Sequence, residues 1–294
     1  MTPREKGFLL LTGFLGDPER KPLTTARLRE LTKKARLMDK PSLQRELSLQ
    51  DLRSIGCRKE EAEQILRLLS QETELQRHIE KAAQWDCYPL TRVSDDYPAQ
   101  LRKSLTLEAP GSLWYKGDVS LLHKPKISLV GSRELQKENQ DFACQVGVQC
   151  ARQGYVLVSG HARGADSVAE EACLENGGQV ISVVSDPLKN HPLQRNVLYL
   201  AEDDFDMAFT PYRALSRNRI IHGLSEKTFV AQCTYGKGGT WDGTYKNLRN
   251  HWSSVYCFRD GSPASIELEQ MGATLIDFAV LQNISALQTE ITFF

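Results

Sequence analysis

Five short segments of this chain combine glycine with cations and hydroxyls in the way that phosphate recognition requires. Val130 to Arg133 reads VGSR. Gly131 lets backbone approach a ligand closely, Ser132 offers a hydroxyl, and Arg133 carries a planar guanidinium suited to phosphate. Ser159 to Asp166 reads SGHARGAD, in which Gly160 and Gly164 flank a turn that also holds Arg163. Asp166 has two readings there, a ligand contact or a helix-capping carboxylate. Lys189, in DPLKNHP, is either a cation for an anionic ligand or a solvated loop lysine. Arg217, Asn218 and Arg219 form a basic cluster before the apolar Ile220 and Ile221, where Arg219 is as well placed to brace the loops as to meet a ligand. Tyr235 to Trp241 reads YGKGGTW, so that Lys237, Gly238, Gly239 and Thr240 lead into a helix whose first amides can face an anion.

Covalent and metal chemistry find less support. Ser159 with His161 suggests a nucleophile and its base, but neighbouring loop residues rarely reach hydrogen-bond geometry, and the sequence supplies no third group to orient the histidine. His161, His191, His222 and His251 stand at spacings that fit no ligand set, and the seven cysteines are odd in number without a CxxC pair. The cysteines read as buried thiols. The expectation is therefore no catalytic residue, no metal and no cofactor.

Those segments must be positioned by strands and helices, and the hydrophobic periodicity says which. KISLVGS (126–132), YVLVSG (155–160) and QVISVVS (179–185) are short apolar runs separated by helical stretches over 138–153 and from Gly164 to Asn176. DMAFTP, KTFVAQC and SSVYCF read as further buried strands, with helices over 216–224 and 240–250 between them and TLID as an added edge. Repeated strand, crossover helix and strand imply an α/β fold with a parallel sheet and helices on both faces. In such a sheet, ligands bind outside the carboxyl ends of the strands, which is where all five segments fall.

A different pattern precedes it. Residues 24–83 carry apolar residues at helical spacing, and Gly56 separates two helical patterns in LSLQDLRSIGCRKEEAEQILRLL. That stretch is similar to a sterile-alpha-motif or helix-hairpin-helix unit, which can hold a DNA backbone, or is a plain helical packing module. Prolines and paired aspartates after it place a boundary near Asp86, giving a helical domain over 1–86 and a sheet domain over 87–294.

Composition limits the partners. The net charge is zero, with 17 basic and 13 acidic residues in 1–85 against 20 and 24 in 86–294, so any nucleic-acid surface must be a local patch. No run approaches the roughly eighteen apolar residues of a membrane span, and the N-terminal apolar run is too short for a strong signal peptide. A cytoplasmic location is expected, without membrane association.

KISLVGSRE, YVLVSGHARGADSVAEEACLENGGQVISVV and SRNRIIHGLSEKTFVAQ together resemble, in order, the signature blocks of the DprA/Smf family, and YPAQLRKSL with PGSLWYKGD resembles the entry to the same domain. The resemblance covers about two thirds of the chain. It implies an extended Rossmann-like fold that binds and protects single-stranded DNA and helps to load a RecA-type recombinase during natural transformation, usually as a homodimer. Gly131, Ser132 and Arg133 then match one phosphate-contacting block, Ser159, Gly160, Gly164 and Asp166 a second, and Arg217, Asn218 and Arg219 the RNRII block, whose basic side chains either meet the ligand or brace the loops. Exposed aromatics such as Tyr212 or Trp241 would stack bases.

The sequence also departs from the family. Where the family carries GIDxxAH, Ala165 replaces the isoleucine and Glu170 the histidine, and an acidic residue cannot donate to phosphate. The YGKGGTW turn is closer in style to the PGGxGT loop of the LOG nucleotide phosphoribohydrolases, whose following glutamate is absent; Asp242 is the nearest acid. Arg259, Asp260 and Gly261 stand where the family has proline and glycine. The chain ends at Phe294 with no room for the winged-helix domain of many relatives. Two further readings follow, a nucleotide sensor or LOG-like hydrolase using the same crevice, and an interaction protein whose helical domain and sheet edge recruit a partner.

Overall fold

Two apolar faces alternate along the strands, as Ile127 and Leu129 face one side and Ser128 and Val130 the other, so helices must cover both. The computed structural model describes residues 1–17, 19–36, 47–202 and 204–288. Among these, nine strands form one sheet: β1 (Tyr88–Thr91), β2 (Ser112–Gly117), β3 (Lys126–Val130), β4 (Val156–Ser159), β5 (Gln179–Val184), β6 (Val197–Glu202), β7 (Lys227–Val230), β8 (Ser254–Phe258) and β9 (Thr274–Ile276). Their spatial order is β1-β2-β6-β5-β4-β3-β7-β8-β9. Strands β3 to β9 pair in parallel, while β1 with β2 and β2 with β6 run antiparallel.

The chain winds outward from β3 to β6 and then returns to place β7 on the other side of β3. The reversal lies between β3 and β7, and it opens the crevice in which such sheets bind ligands.

Five helices precede the sheet, α1 (Pro3–Thr12), α2 (Thr25–Arg36), α3 (Leu49–Ser54), α4 (Lys59–Leu69) and α5 (Glu72–Ala83). Ala62, Ile65 and Leu68 of α4 share one face and pack on Leu23, Leu31, Leu52 and Cys57. Gly56 takes φ +88° in the turn between α3 and α4. Within the sheet region follow α6 (Ala99–Leu105), α7 (Lys137–Arg152), α8 (Ala165–Glu175), α9 (Pro211–Gly223), α10 (Gly238–Asn250) and α11 (Pro263–Gln270). Helices α7 and α8 cover one face through Phe142, Val146, Ala169 and Cys173. The other face lies under α6, α9, α10 and α11, with Leu101, Ile220, Ile221 and Leu268 fully buried. A Cβ on Gly147 of α7 would stand 2.2 Å from the Ala169 carbonyl oxygen, so the close approach of α7 and α8 requires glycine there. That approach fixes α8 and the acidic residues on it.

Two sequence expectations need correction. DMAFTP is not a strand: Thr210 caps α9, Pro211 occupies its first turn, and the Met207 and Ala208 carbonyls accept from Arg213. The strand is the preceding VLYLAE, an apolar run buried on both sheet faces. The sheet is also extended antiparallel by β1 and β2. Pro89 is tolerated in β1 because that strand is an edge. The cysteines are free thiols, all buried except the half-buried Cys144. No helix among the described residues is long and apolar enough to cross a membrane.

Candidate nucleic-acid interface

The first and last of the five segments meet at the β3/β7 crevice. The Thr240 hydroxyl donates to the Gly131 carbonyl at 2.8 Å, tying the start of α10 to the end of β3. Ser132 donates its amide, at 2.9 Å, and its hydroxyl to the Gln232 carbonyl, which locks the loop to the end of β7. A Cβ on Gly131 would lie 2.3 Å from that of Ala165, so glycine is needed for α8 to seat against the loop. Arg133 is exposed beside this seam, as is Lys237, and neither side chain makes a hydrogen bond or ion pair among the described residues.

The helix starts that face the crevice differ in what their amides do. At α8 they are used internally: Ala165 donates to the Ser132 carbonyl at 3.1 Å and Ser167 to the Ala162 carbonyl at 3.1 Å. Gly164 precedes that helix with φ +94°, and a Cβ on it would come within 2.6 Å of Arg133 backbone atoms. At α10 the capping position is Lys237, whose side chain makes no capping bond, so the amides of Gly238, Gly239 and Thr240 form the open helix N-terminus of the crevice. Asn218 braces it by donating to the Gly239 carbonyl at 3.0 Å.

The second segment is an internal scaffold. Ser159 is fully buried and its hydroxyl donates to the Leu129 carbonyl, which leaves no nucleophile at that position. Arg217 is 8% exposed and donates to the Gly160 carbonyl at 2.8 Å, while its Nε has no partner. Burial lowers the pKa of that guanidinium, opposed by the Asp166 carboxylate. Asp166 accepts the Ala162 amide at 3.3 Å, closing the 160–164 loop rather than capping α8. Its burial pushes its pKa up to about 6. Arg163 is exposed, 3.7 Å from Glu134.

Two of the sequence-predicted cations are engaged elsewhere. Lys189 pairs with Asp206 at 2.6 Å, and Arg219 holds the Glu202 carboxylate with two guanidinium nitrogens, one at 2.8 Å, which fits its bracing role. Arg213, which the sequence did not single out, donates to four backbone carbonyls between Ser185 and Ala208. It lines a cleft of about 200 Å³ with Tyr212, Ser185 and Arg217. Tyr212 is 78% exposed, and Trp241 meets the exposed Tyr235 edge to face at 5.0 Å.

The histidines are less isolated than their spacing suggested. His161 Nδ1 lies 2.7 Å from a Glu170 oxygen, so a third group does orient that histidine, and its ring is 5.4 Å from that of His191. The partner was hidden in sequence because the two stand nine positions apart across a loop and a helix start. His222 is a core residue bonded to Asn247 and Thr228, and burial pushes its pKa down to about 3, keeping it neutral. No group of three metal-ligating side chains gathers among the described residues.

Comparison with known proteins matches this architecture. The family model for DNA recombination-mediator protein A aligns with residues 89–251. The DNA processing protein DprA of Streptococcus pneumoniae is 32% identical over 213 residues, covering 68% of this chain and 74% of that protein. An X-ray structure of DprA from Streptococcus pneumoniae superposes with a TM-score of 0.71 at 24% identity, over 98% of this chain and 99% of that one. DNA processing protein A from Helicobacter pylori, a structure described for its single-stranded DNA binding mode, superposes with a TM-score of 0.56 at 21% identity, over 67% of this chain and 94% of that one.

Proposed function

The chain belongs to the DNA recombination-mediator protein A (DprA/Smf) family, and from that premise we propose that it binds single-stranded DNA in the β3/β7 crevice without catalysing a reaction on it. The observation that carries the reading is the seam between Gly131 and Thr240. There an open helix N-terminus and two unpaired cations, Arg133 and Lys237, gather at the reversal of strand order. Backbone amides and cations bind phosphate irrespective of base, and Tyr235, Trp241 and Tyr212 offer faces on which bases can stack. Gly160, Gly164, Asp166, Arg217 and Asn218 act in this reading mainly by holding the loops, and Arg163 and Lys189 lie at the rim.

The larger role that fits is protection of single-stranded DNA and its delivery to a RecA-type recombinase during transformation, with the chain working as a homodimer. Residues 1–86 would form an accessory helical domain and residues 87–294 the DNA-binding domain. The test is filter binding of a single-stranded oligonucleotide across a salt series. Affinity should fall as salt rises, and Arg133→Ala and Lys237→Ala should each weaken it and lower the log–log salt slope by about 0.7. Absence of retention at low salt with micromolar protein, or variants with unchanged slope, would contradict the assignment.

A further inference from the structure

At the edge of the crevice the Glu170 carboxylate holds His161 by two bonds, one from the backbone amide at 3.1 Å and one at 2.7 Å from Nδ1. His161 adopts φ +54°, a left-handed conformation uncommon for a residue other than glycine, and these two bonds maintain it. The carboxylate is hidden and the imidazole is shown, with side chains 7% and 41% exposed. His191 and Tyr199, stacked on each other at 4.8 Å, meet the ring on one side, nearly edge-on at 5.4 and 5.6 Å, and His191 is itself held by Asp186 at 3.1 Å. With Nδ1 committed to Glu170, the other ring nitrogen is the free edge, and Nε2 makes no hydrogen bond among the described residues.

We propose that His161 is a phosphate-binding residue whose imidazolium Nε2 donates to a phosphodiester oxygen of the bound strand, with Glu170 as the positioning residue that keeps it oriented and charged. The proposal rests on the crevice being a DNA site and adds a contact, and a dependence on pH, that the loop geometry alone does not supply. Glu170 thus acts behind the ligand surface. The acidic residue that cannot donate to phosphate instead supports one that can.

Titratable groups face His161 from several elements. Glu170 and Asp166 come from α8, Asp186 follows β5, His191 lies in the loop beyond it, Tyr199 comes from β6 and Arg217 from α9. The hydrogen bond that His161 donates to Glu170 raises the pKa of the imidazole, with Asp186 and Asp166 acting in the same direction and burial against it. The charged contact is therefore present while the ring is protonated and is lost as pH rises through the raised value. Asp166, with a pKa near 6, is largely ionised from about pH 6.5 to 9; Lys126, at about 8, titrates inside that window, so the comparison with His161→Asn is what singles out the histidine.

The experiment measures affinity of the full chain for a single-stranded oligonucleotide over that window at constant ionic strength, alongside the imidazole Cε1–H NMR titration in free and bound protein. His161→Asn, which tolerates the left-handed backbone, and Glu170→Gln are compared with the parent. The parent should lose about tenfold in affinity as pH rises, and the His161 midpoint should move up on binding. His161→Asn should bind more weakly at pH 6.5 with no such slope, and Glu170→Gln should lower the midpoint. An unchanged slope in His161→Asn, or a midpoint that ignores the oligonucleotide, overturns the proposal while leaving the crevice assignment standing. A parent chain that binds no oligonucleotide at low salt at any pH overturns the crevice assignment itself, and the contact with it. If Glu170→Gln does not fold, His161→Asn decides the matter alone.

Discussion

A Cβ at position 160 would stand 1.7 Å from the Arg217 guanidinium, and one at position 164 would meet Ser132 and Arg133 backbone atoms at 2.4 to 2.6 Å. The two glycines look alike in sequence, yet their substitutions should differ. Gly160→Ala pushes on a side-chain tip and should cost about 1–3 kcal/mol. Gly164→Ala pushes on backbone from a φ of +94° and should cost more, with strain of roughly 1–3 kcal/mol added to the clash. Gly236→Ala, at φ +65° with nothing near it, isolates the conformational term and should cost about 1 kcal/mol. Urea midpoints should be lowest for Gly164→Ala, intermediate for Gly160→Ala and highest for Gly236→Ala, and a Gly164→Ala variant as stable as Gly236→Ala would contradict the packing described. The glycines were legible as turn residues, but what each turn packs against was not, because Arg217 lies 57 residues beyond Gly160.

Elements are joined by contacts that periodicity cannot report. His78 of α5 lies 2.9 Å from Asp204 beyond β6, both nearly fully buried, and Trp114 and Phe205 enclose the imidazole. The same carboxylate accepts the Gly16 amide at 3.2 Å and the Phe205 amide at 2.7 Å. This clasp fastens the N-terminal helices to the end of the sheet. Asp204→Ala strands three donors in a buried place and should cost about 3–5 kcal/mol. The His78→Ala, Asp204→Ala double variant should lose less than the sum of the singles, as a double-mutant cycle in urea would show; strict additivity would mean the pair is not coupled. Strand and helix positions were readable because buried runs of four to six residues alternate with amphipathic stretches. The exceptions were β6, passed over in favour of DMAFTP, and the antiparallel β1 and β2, whose short, proline-containing or mixed sequences carry little period.

On the scale of the molecule, balanced charge conceals a local arrangement. The chain has no net charge, and several cations at the strand ends are neutralised or occupied, Lys189 by Asp206, Arg219 by Glu202 and Arg213 by carbonyls. Arg133 and Lys237 face solvent beside the seam with no side-chain partner among the described residues. Sequence placed all five segments at one edge of the sheet, because strand and helix alternation determines which loops share it. It could not distinguish the open start of α10 from the internally satisfied start of α8, a difference made by the Ser132 and Ala162 carbonyls. The central claim is that the open one, with Arg133 and Lys237, is where DNA phosphates sit. Amide hydrogen exchange of the full chain with and without a single-stranded oligonucleotide tests it most directly. Protection should concentrate in residues 131–133 and 237–241; protection confined to the helices of residues 3–83, with those loops unchanged, would contradict it.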